Sequence, residues 1–156
     1  MELLRWVGRP SSYGLLGAEF APLAGDRLGI RVLAALQEGE EIPWALPRGQ
    51  DRVVGGIPPW SARSILDGAA SNAHLRSLGP GLLTFECGAH AAVGSSPAVF
   101  RRLSGAISEL VSRAPGSLTD EDSADIVYGG GAAAPHRRLP LELRRGTVLA
   151  LTLIHI

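Results

Sequence analysis

A strand followed by a helix is encoded by residues 82–111, LLTFECGAHAAVGSSPAVFRRLSGAISELV. Residues 82–87 are predicted to form a strand, with Leu83, Phe85 and Cys87 on one face and Thr84 and Glu86 on the other. Ser96 is a suitable N-cap and Pro97 a suitable first helical residue. An apolar stripe then recurs at helical spacing at Phe100, Leu103, Ile107, Leu110 and Val111. We therefore expect one face of this strand to be covered by this helix.

Further elements are predicted on either side of this unit. Residues 15–23 favour a strand, and residues 28–33 favour a second strand or the start of a short helix. Helical spacing after Pro58 and Pro59 predicts a helix over residues 59–77. Residues 114–136 are acidic and glycine-rich and predict a flexible connection, and residues 137–156 end in a β-rich segment.

The composition limits the possible functions. The chain has 156 residues, 15 Lys+Arg against 15 Asp+Glu, and every basic residue is Arg. The absence of lysine excludes a Schiff-base lysine, a phosphate-loop lysine and a Ser-Lys catalytic pair. Zero net charge argues against a domain that binds nucleic acid by bulk phosphate neutralisation, although a local arginine patch stays possible.

Cofactor and membrane signals are weak. Cys87 is the only cysteine, and the four histidines lie at no metal-ligand spacing, so we expect no disulfide, metal or cofactor. The longest apolar stretch, residues 148–154, is too short to span a bilayer, and residues 1–6 do not resemble a signal peptide. We expect a cytoplasmic protein that does not contact membranes.

Two groups of residues are candidates for chemistry. Glu86 and His90 are close in sequence and lie at the rim of the predicted sheet. They could form an acid/base pair, or Glu86 could be a solvated strand residue. Trp44 and Trp60 flank Gly55-Gly56 and could line a ligand pocket or cover the core. Arg101 and Arg102 on the exposed helix face could contact phosphates or be solvated.

Four motifs in order resemble domain IV of elongation factor G and of the related ribosomal protection proteins of tetracycline resistance. They are the loop 8–14 followed by a strand ending in Pro22-Leu23, the segment 52–59 with Ser64 to Gly68, Gly79-Pro80-Gly81 before a strand, and the helix start 93–101. The resemblance covers about residues 8–113, and the block 1–113 is interpreted as a domain IV-like module.

This resemblance implies an α/β two-layer sandwich (α+β) of the ribosomal protein S5 domain 2-like type, with about four strands and two helices on one face. It also implies ribosome binding, and the expected rRNA-contact residues are Arg9, Tyr13, His90, Arg101 and Arg102. The family's GTPase domain has no counterpart here, and the family's tip histidine falls on Ala91, next to His90. Because residues 1–7 leave little room for the family's first strand, we expect residues 147–156 to take its place in the same sheet.

Two hypotheses of function follow. The first is a free-standing module that binds the ribosome and protects it from a translation inhibitor. The second is a scaffold recruited to bind a small molecule, or to act as a cofactor-independent isomerase, cyclase or dehydratase. Its pocket would be formed by the inserted segment 37–51 with Trp44, Trp60, Glu86 and His90. Basic, exposed tip loops would favour the first hypothesis, and an enclosed cavity with Glu86 or His90 would favour the second.

Overall fold

A computed structural model describes residues 2–5, 12–37, 39–43 and 52–113. The strands are β1 (Glu2–Arg5), β2 (Ser12–Pro22), β3 (Leu28–Val32), β4 (Val53–Gly55) and β5 (Gly81–Ala91). The helices are α1 (Ala62–Ala70) and α2 (Pro97–Ser112), and 3-10 turns span Pro59–Ser61 and Ala73–Leu78. The predicted two-layer sandwich is confirmed, with a mixed sheet and two α-helices against one of its faces.

The sheet has the order β1-β2-β5-β3, and β5 is its central strand. The second edge of β5 is shared by two strands. β3 runs parallel to residues 81–85, whereas β4 runs antiparallel to residues 89–91. A gap in strand pairing therefore separates β3 from β4 along that edge of β5.

The helices pack closely on each other and on the sheet. Phe85 and Phe100 lie in the same core cluster and are fully buried. Gly68 of α1 lies against α2 so closely that a Cβ there would come within 2.2 Å of the Arg101 carbonyl oxygen. The close contact between α1 and α2 therefore requires glycine at position 68.

The start of α2 is as predicted. Ser96 has an extended backbone, and its side chain accepts a hydrogen bond from the Val99 N–H at 3.4 Å, with Pro97 in the first turn. The predicted helix over residues 59–77 is instead interrupted at Ser71 and Asn72. Asn72 accepts a hydrogen bond from the His74 N–H at 2.8 Å and donates one to the Gly105 carbonyl at 2.9 Å, which holds it outside helical geometry.

The first strand corrects another expectation. β1 lies beside β2, so residues 1–7 do have room for a strand, and the position that we expected residues 147–156 to fill is occupied by β1. The predicted connection 114–136 and the C-terminal segment 137–156 lie outside the described residues.

Candidate functional site

A β-bulge in β5 determines which side chains reach the site. Gly17 of β2 pairs with Cys87 and Ala18 pairs with Phe85, so Glu86 has no partner across the strand pair. Phe85 belongs to the helix-facing core. After the bulge, the residue on the helix-facing side of β5 is Gly88, where a Cβ would meet the Ile57 side chain at 2.7 Å. The extra residue therefore reverses the alternation of β5 for the rest of the strand.

The reversal separates the predicted acid/base pair. Glu86 and Cys87 both point to the face opposite the helices, because they lie between the helix-facing residues Phe85 and Gly88. His90 points to the helix side, where its ring meets Trp60. The structure therefore does not bring Glu86 and His90 together, and the expectation that Cys87 faces the helix-covered core is wrong.

A half-open pocket of about 230 Å³ lies on the helix side beside His90. It lies near the part of β5 between residues 85 and 89, which pairs with neither β3 nor β4. The wall is formed by three short segments and one strand residue: Ala35 to Gln37, Gly55 and Gly56, Pro58 to Trp60, and His90.

Gly56 allows these segments to approach each other. Its φ of +104° is rarely adopted by residues with a side chain, and a Cβ there would lie 2.8 Å from the Cβ of Ala35. The Ala35 N–H donates to the Ile57 carbonyl at 2.9 Å, and the Gly56 N–H donates to the Gly88 carbonyl at 2.8 Å. The pocket wall is therefore held by backbone contacts that require glycine at position 56.

Aromatic rings connect the pocket to the core. Trp60 meets the His90 ring edge-on at a centroid distance of 6.2 Å, and it meets Phe100 at 5.7 Å, also edge-on. Phe100 is fully buried, whereas 47% of Trp60 stays exposed. Trp60 is therefore fixed on its core side and accessible on the pocket side.

The imidazole of His90 has an unsatisfied nitrogen. Its Nδ1 is buried and has no hydrogen-bond partner among the described groups. Leaving such a group without a partner costs about 1–3 kcal/mol. The backbone N–H groups of Ala35, Gly55 and Gly56 are already bonded within the protein. Because the His90 Nδ1 is itself buried, it does not face the open space of the pocket.

The arrangement supports limited chemistry. His90 is the single titratable side chain among the described lining residues, so the pocket can offer one proton donor or acceptor. Across the described ranges, no three His, Cys, Asp or Glu side chains come together as a metal site. Trp44, the second aromatic residue predicted for the pocket, lies outside the described residues.

The expected ribosome contacts are placed unevenly. Tyr13 is fully buried and belongs to a small cluster on the opposite face of the sheet, so its side chain is not part of the surface. Arg101 is exposed and Arg102 is half-buried on α2. Arg9 lies outside the described residues, and His90 lies in the pocket wall.

The two segments that the resemblance assigns to the tip, residues 8–14 and 88–95, meet at Tyr13 and Ser95. Ser95 donates a hydrogen bond to the Tyr13 carbonyl at 2.8 Å and accepts one from the Ala91 N–H at 2.8 Å. Residues 88–98 contain no arginine or lysine, and 51% of Val93 is exposed. This end of the sheet is apolar rather than basic over those residues.

Some lining residues were not predicted. Gln37 is the first residue of the segment 37–51 that was expected to form the pocket, but Leu36, which is 98% exposed at the pocket rim, and Ala35 precede that segment. The available signal was Gly55-Gly56 followed by Pro58-Pro59, which indicates a tight backbone approach but does not identify the segment that approaches.

Searches of protein-family models, curated proteins and solved structures find no match to this chain. The resemblance to domain IV of elongation factor G therefore stays a prediction. Among the helices of the described ranges, none has the length and apolar character needed to cross a membrane.

Proposed function

We propose that this domain binds a small molecule in the pocket beside His90. The observation that carries the proposal is a half-open pocket of about 230 Å³ whose wall holds the half-exposed indole of Trp60 beside the ring of His90.

The apolar rim supports the same proposal. Leu36 is almost completely exposed and Trp60 is half-exposed, and both line the pocket. Large apolar side chains grouped around a concavity are typical of a binding site. A ligand seated there would cover both side chains and contact the rings that anchor Trp60.

If the protein is an enzyme, the acid/base step belongs to His90 alone. Glu86 lies on the other face of the sheet, so the proposed isomerase, cyclase or dehydratase chemistry would move a single proton through one imidazole. A cytoplasmic location is part of the proposal, because a single cysteine is compatible with a reducing compartment.

The test is a ¹⁵N–¹H NMR titration with a set of small neutral fragments, each with fewer than about 15 non-hydrogen atoms. We expect some fragments to shift the amides of Gln37, Gly55 and Gly56 and the indole N–H of Trp60 in a saturable way. Leu36→Ala should weaken binding, whereas Leu23→Ala should not, because Leu23 is an exposed leucine beside Pro80, at the other end of β5. No saturable shift at these groups with any fragment would overturn the proposal.

Ribosome binding is the second candidate, and two observations favour it. Arg101 is exposed on α2, and Ser95 joins the two tip segments as the resemblance requires. Co-sedimentation with ribosomes at low and moderate salt tests it, with the double variant Arg101→Ala, Arg102→Ala. Salt-sensitive pelleting that the variant loses would support this candidate, and no pelleting at either salt would discard it.

A further inference from the structure

The outer edge of β3 is an interaction surface: we infer that two copies of this chain pair there, β3 against β3 in antiparallel orientation, and form a dimer whose sheet continues across the interface. In the register that the side chains favour, Leu33 of each copy lies opposite Arg31 of the other copy. Pairing at this edge is a property of the fold that does not depend on ligand binding in the pocket.

Hydrogen bonds identify the backbone groups of this segment that point outward. The Leu33 N–H donates to the Phe85 carbonyl at 2.8 Å, and the Arg27 carbonyl accepts from the Gly81 N–H at 3.0 Å. Backbone groups of successive strand residues point to alternate edges of the strand. The odd-numbered residues therefore bond to β5, and the even-numbered residues direct their N–H and carbonyl groups outward. These residues are Leu28, Ile30, Val32 and Ala34.

The outer edge of β3 has the properties of a pairing site. β3 ends the sheet order β1-β2-β5-β3, so nothing in the described part of the chain pairs with that edge. An unpaired strand edge is a template for another strand, and proteins usually block it with proline, charges or a bulge. Residues 28–34 contain no proline and a single charged residue, Arg31, and the pairing of β3 with β5 is regular. This edge therefore suits the addition of a strand.

The helix layer favours a second copy over a bare peptide. Ile30 and Val32 are buried on the helix side, in the same core cluster as Ile65 of α1. A strand added beside β3 brings its own helix-side residues beyond this cluster, and these residues need a cover of their own. A second copy carries α1 packed on its β3 and supplies that cover, whereas a bare peptide would leave the residues in water.

The opposite face of β3 selects the register. Arg31 and Leu33 alternate with the helix-side residues, so they lie on the face away from the helices, where 41% of Leu33 is exposed. Antiparallel pairing centred on Arg31 would place two like charges directly opposite each other, which is unfavourable. Pairing centred on Val32 instead places Leu33 opposite Arg31 at both symmetric positions, and the aliphatic stem of the arginine then covers the leucine.

Association is measured first on the unaltered chain. Analytical ultracentrifugation over about a hundredfold range of concentration should show a species of twice the 16.3 kDa of one chain, which dissociates on dilution. Hydrogen exchange of the outward amides of Ile30 and Val32 should slow as the concentration rises. Exchange of the Leu33 amide, which is bonded to Phe85, should be slow even in the dilute sample. A monomer at every concentration overturns the inference. Protection of the outward amides in a monomer also overturns it, because the edge would then be paired within one chain.

Variants at the edge test the pairing and its register. Leu33→Arg should weaken association about tenfold, because it places like charges opposite each other at both symmetric positions. Leu33→Glu should not weaken it, because the carboxylate faces Arg31 of the other copy. Ala34→Pro removes an outward N–H, so it should abolish the dimer and leave the monomer folded. Val93→Arg is the control, at an exposed apolar residue beyond the far end of β5, and should change nothing.

The variants also have contrary outcomes. A dimer that survives both Leu33→Arg and Ala34→Pro uses a different surface and overturns the inference. Equal weakening by Leu33→Arg and Leu33→Glu overturns the register. Because ultracentrifugation and hydrogen exchange are carried out on the unaltered chain, the dimer stays testable even where a variant does not fold.

Discussion

The two halves of β5 differ in what they do for the molecule. The first half, residues 81–85, is paired on both edges by β2 and β3, and its side chains Leu83 and Phe85 are fully buried. The second half, residues 87–91, is paired by β2 and, from Ala89 onwards, by β4 instead of β3, and it presents His90 to a pocket. One strand therefore supplies the core of the fold and, after a single extra residue, the wall of a candidate site.

The bulge at Glu86 produces this difference. Side chains on a strand alternate between faces, so one additional residue exchanges the faces of all residues that follow. Without it, His90 would point away from Trp60 and the pocket would lose its imidazole. Bulges occur frequently next to functional sites because they redirect a side chain in this way.

The largest effect is expected in the first half of β5. Phe85→Ala should lower the free energy of unfolding by about 3–5 kcal/mol, because it removes a fully buried ring from the helix-facing core. Chemical denaturation measures the loss. A decrease below about 1 kcal/mol would mean that Phe85 does not occupy this core.

The reversal of faces can be tested directly after the bulge. Gly88→Ala should lower the free energy of unfolding by about 1–3 kcal/mol, because the new Cβ would meet Ile57 at 2.7 Å. Cys87→Ala is the matched control on the opposite face and should cost less. If Cys87→Ala proved the more damaging change, the alternation would continue through Glu86 without a bulge.

The last residue of β5, Ala91, is held by the side chain of Ser95. Ser95→Ala should lower the free energy of unfolding by about 1–2 kcal/mol, since it removes the partners of the Ala91 N–H and the Tyr13 carbonyl. Hydrogen exchange of the Ala91 amide should accelerate in the variant. Ser64→Ala is the control, because Ser64 is a half-buried serine of α1 whose hydroxyl makes no hydrogen bond to the described residues, and equal effects of the two substitutions would contradict this bridging role.

The smallest stability effect is expected at the pocket itself. His90→Phe should change the free energy of unfolding by less than about 1 kcal/mol, because it keeps a ring beside Trp60 and removes a nitrogen that has no partner. Its effect should instead appear in the binding of fragments at the pocket, which His90 lines. A loss of stability above about 2 kcal/mol would show that the nitrogen has a partner within the protein.

The sequence predicts the elements that depend on local patterns. The apolar stripe of α2 and the Ser96 cap are encoded within a few residues, and so are the buried faces of Leu83 and Phe85. The break at Asn72 could not be predicted from spacing alone, since it depends on a hydrogen bond to Gly105 of α2.

The candidate site depends on contacts between distant segments, and the sequence predicted only part of it. Trp60 and His90 lie side by side in the structure, but Glu86 was assigned to the same site and lies apart from them. Residues 83–87 alternate regularly in polarity, and the bulge becomes visible only when β5 is paired with Gly17 and Ala18 of β2. Leu36 and Gln37 join the pocket because Gly56 lets that segment approach, which no local pattern encodes.

The most direct test follows the ring resonances of ¹⁵N-labelled histidine by NMR while a neutral fragment that shifts the Gly56 amide is added. The four histidines are distinguished by using His90→Phe to assign the signals of His90. The ring resonances of His90 should shift and saturate, while those of exposed His74 should not move. Saturable binding of the fragment with unchanged His90 resonances would contradict the claim that the bulge places this imidazole at a ligand site.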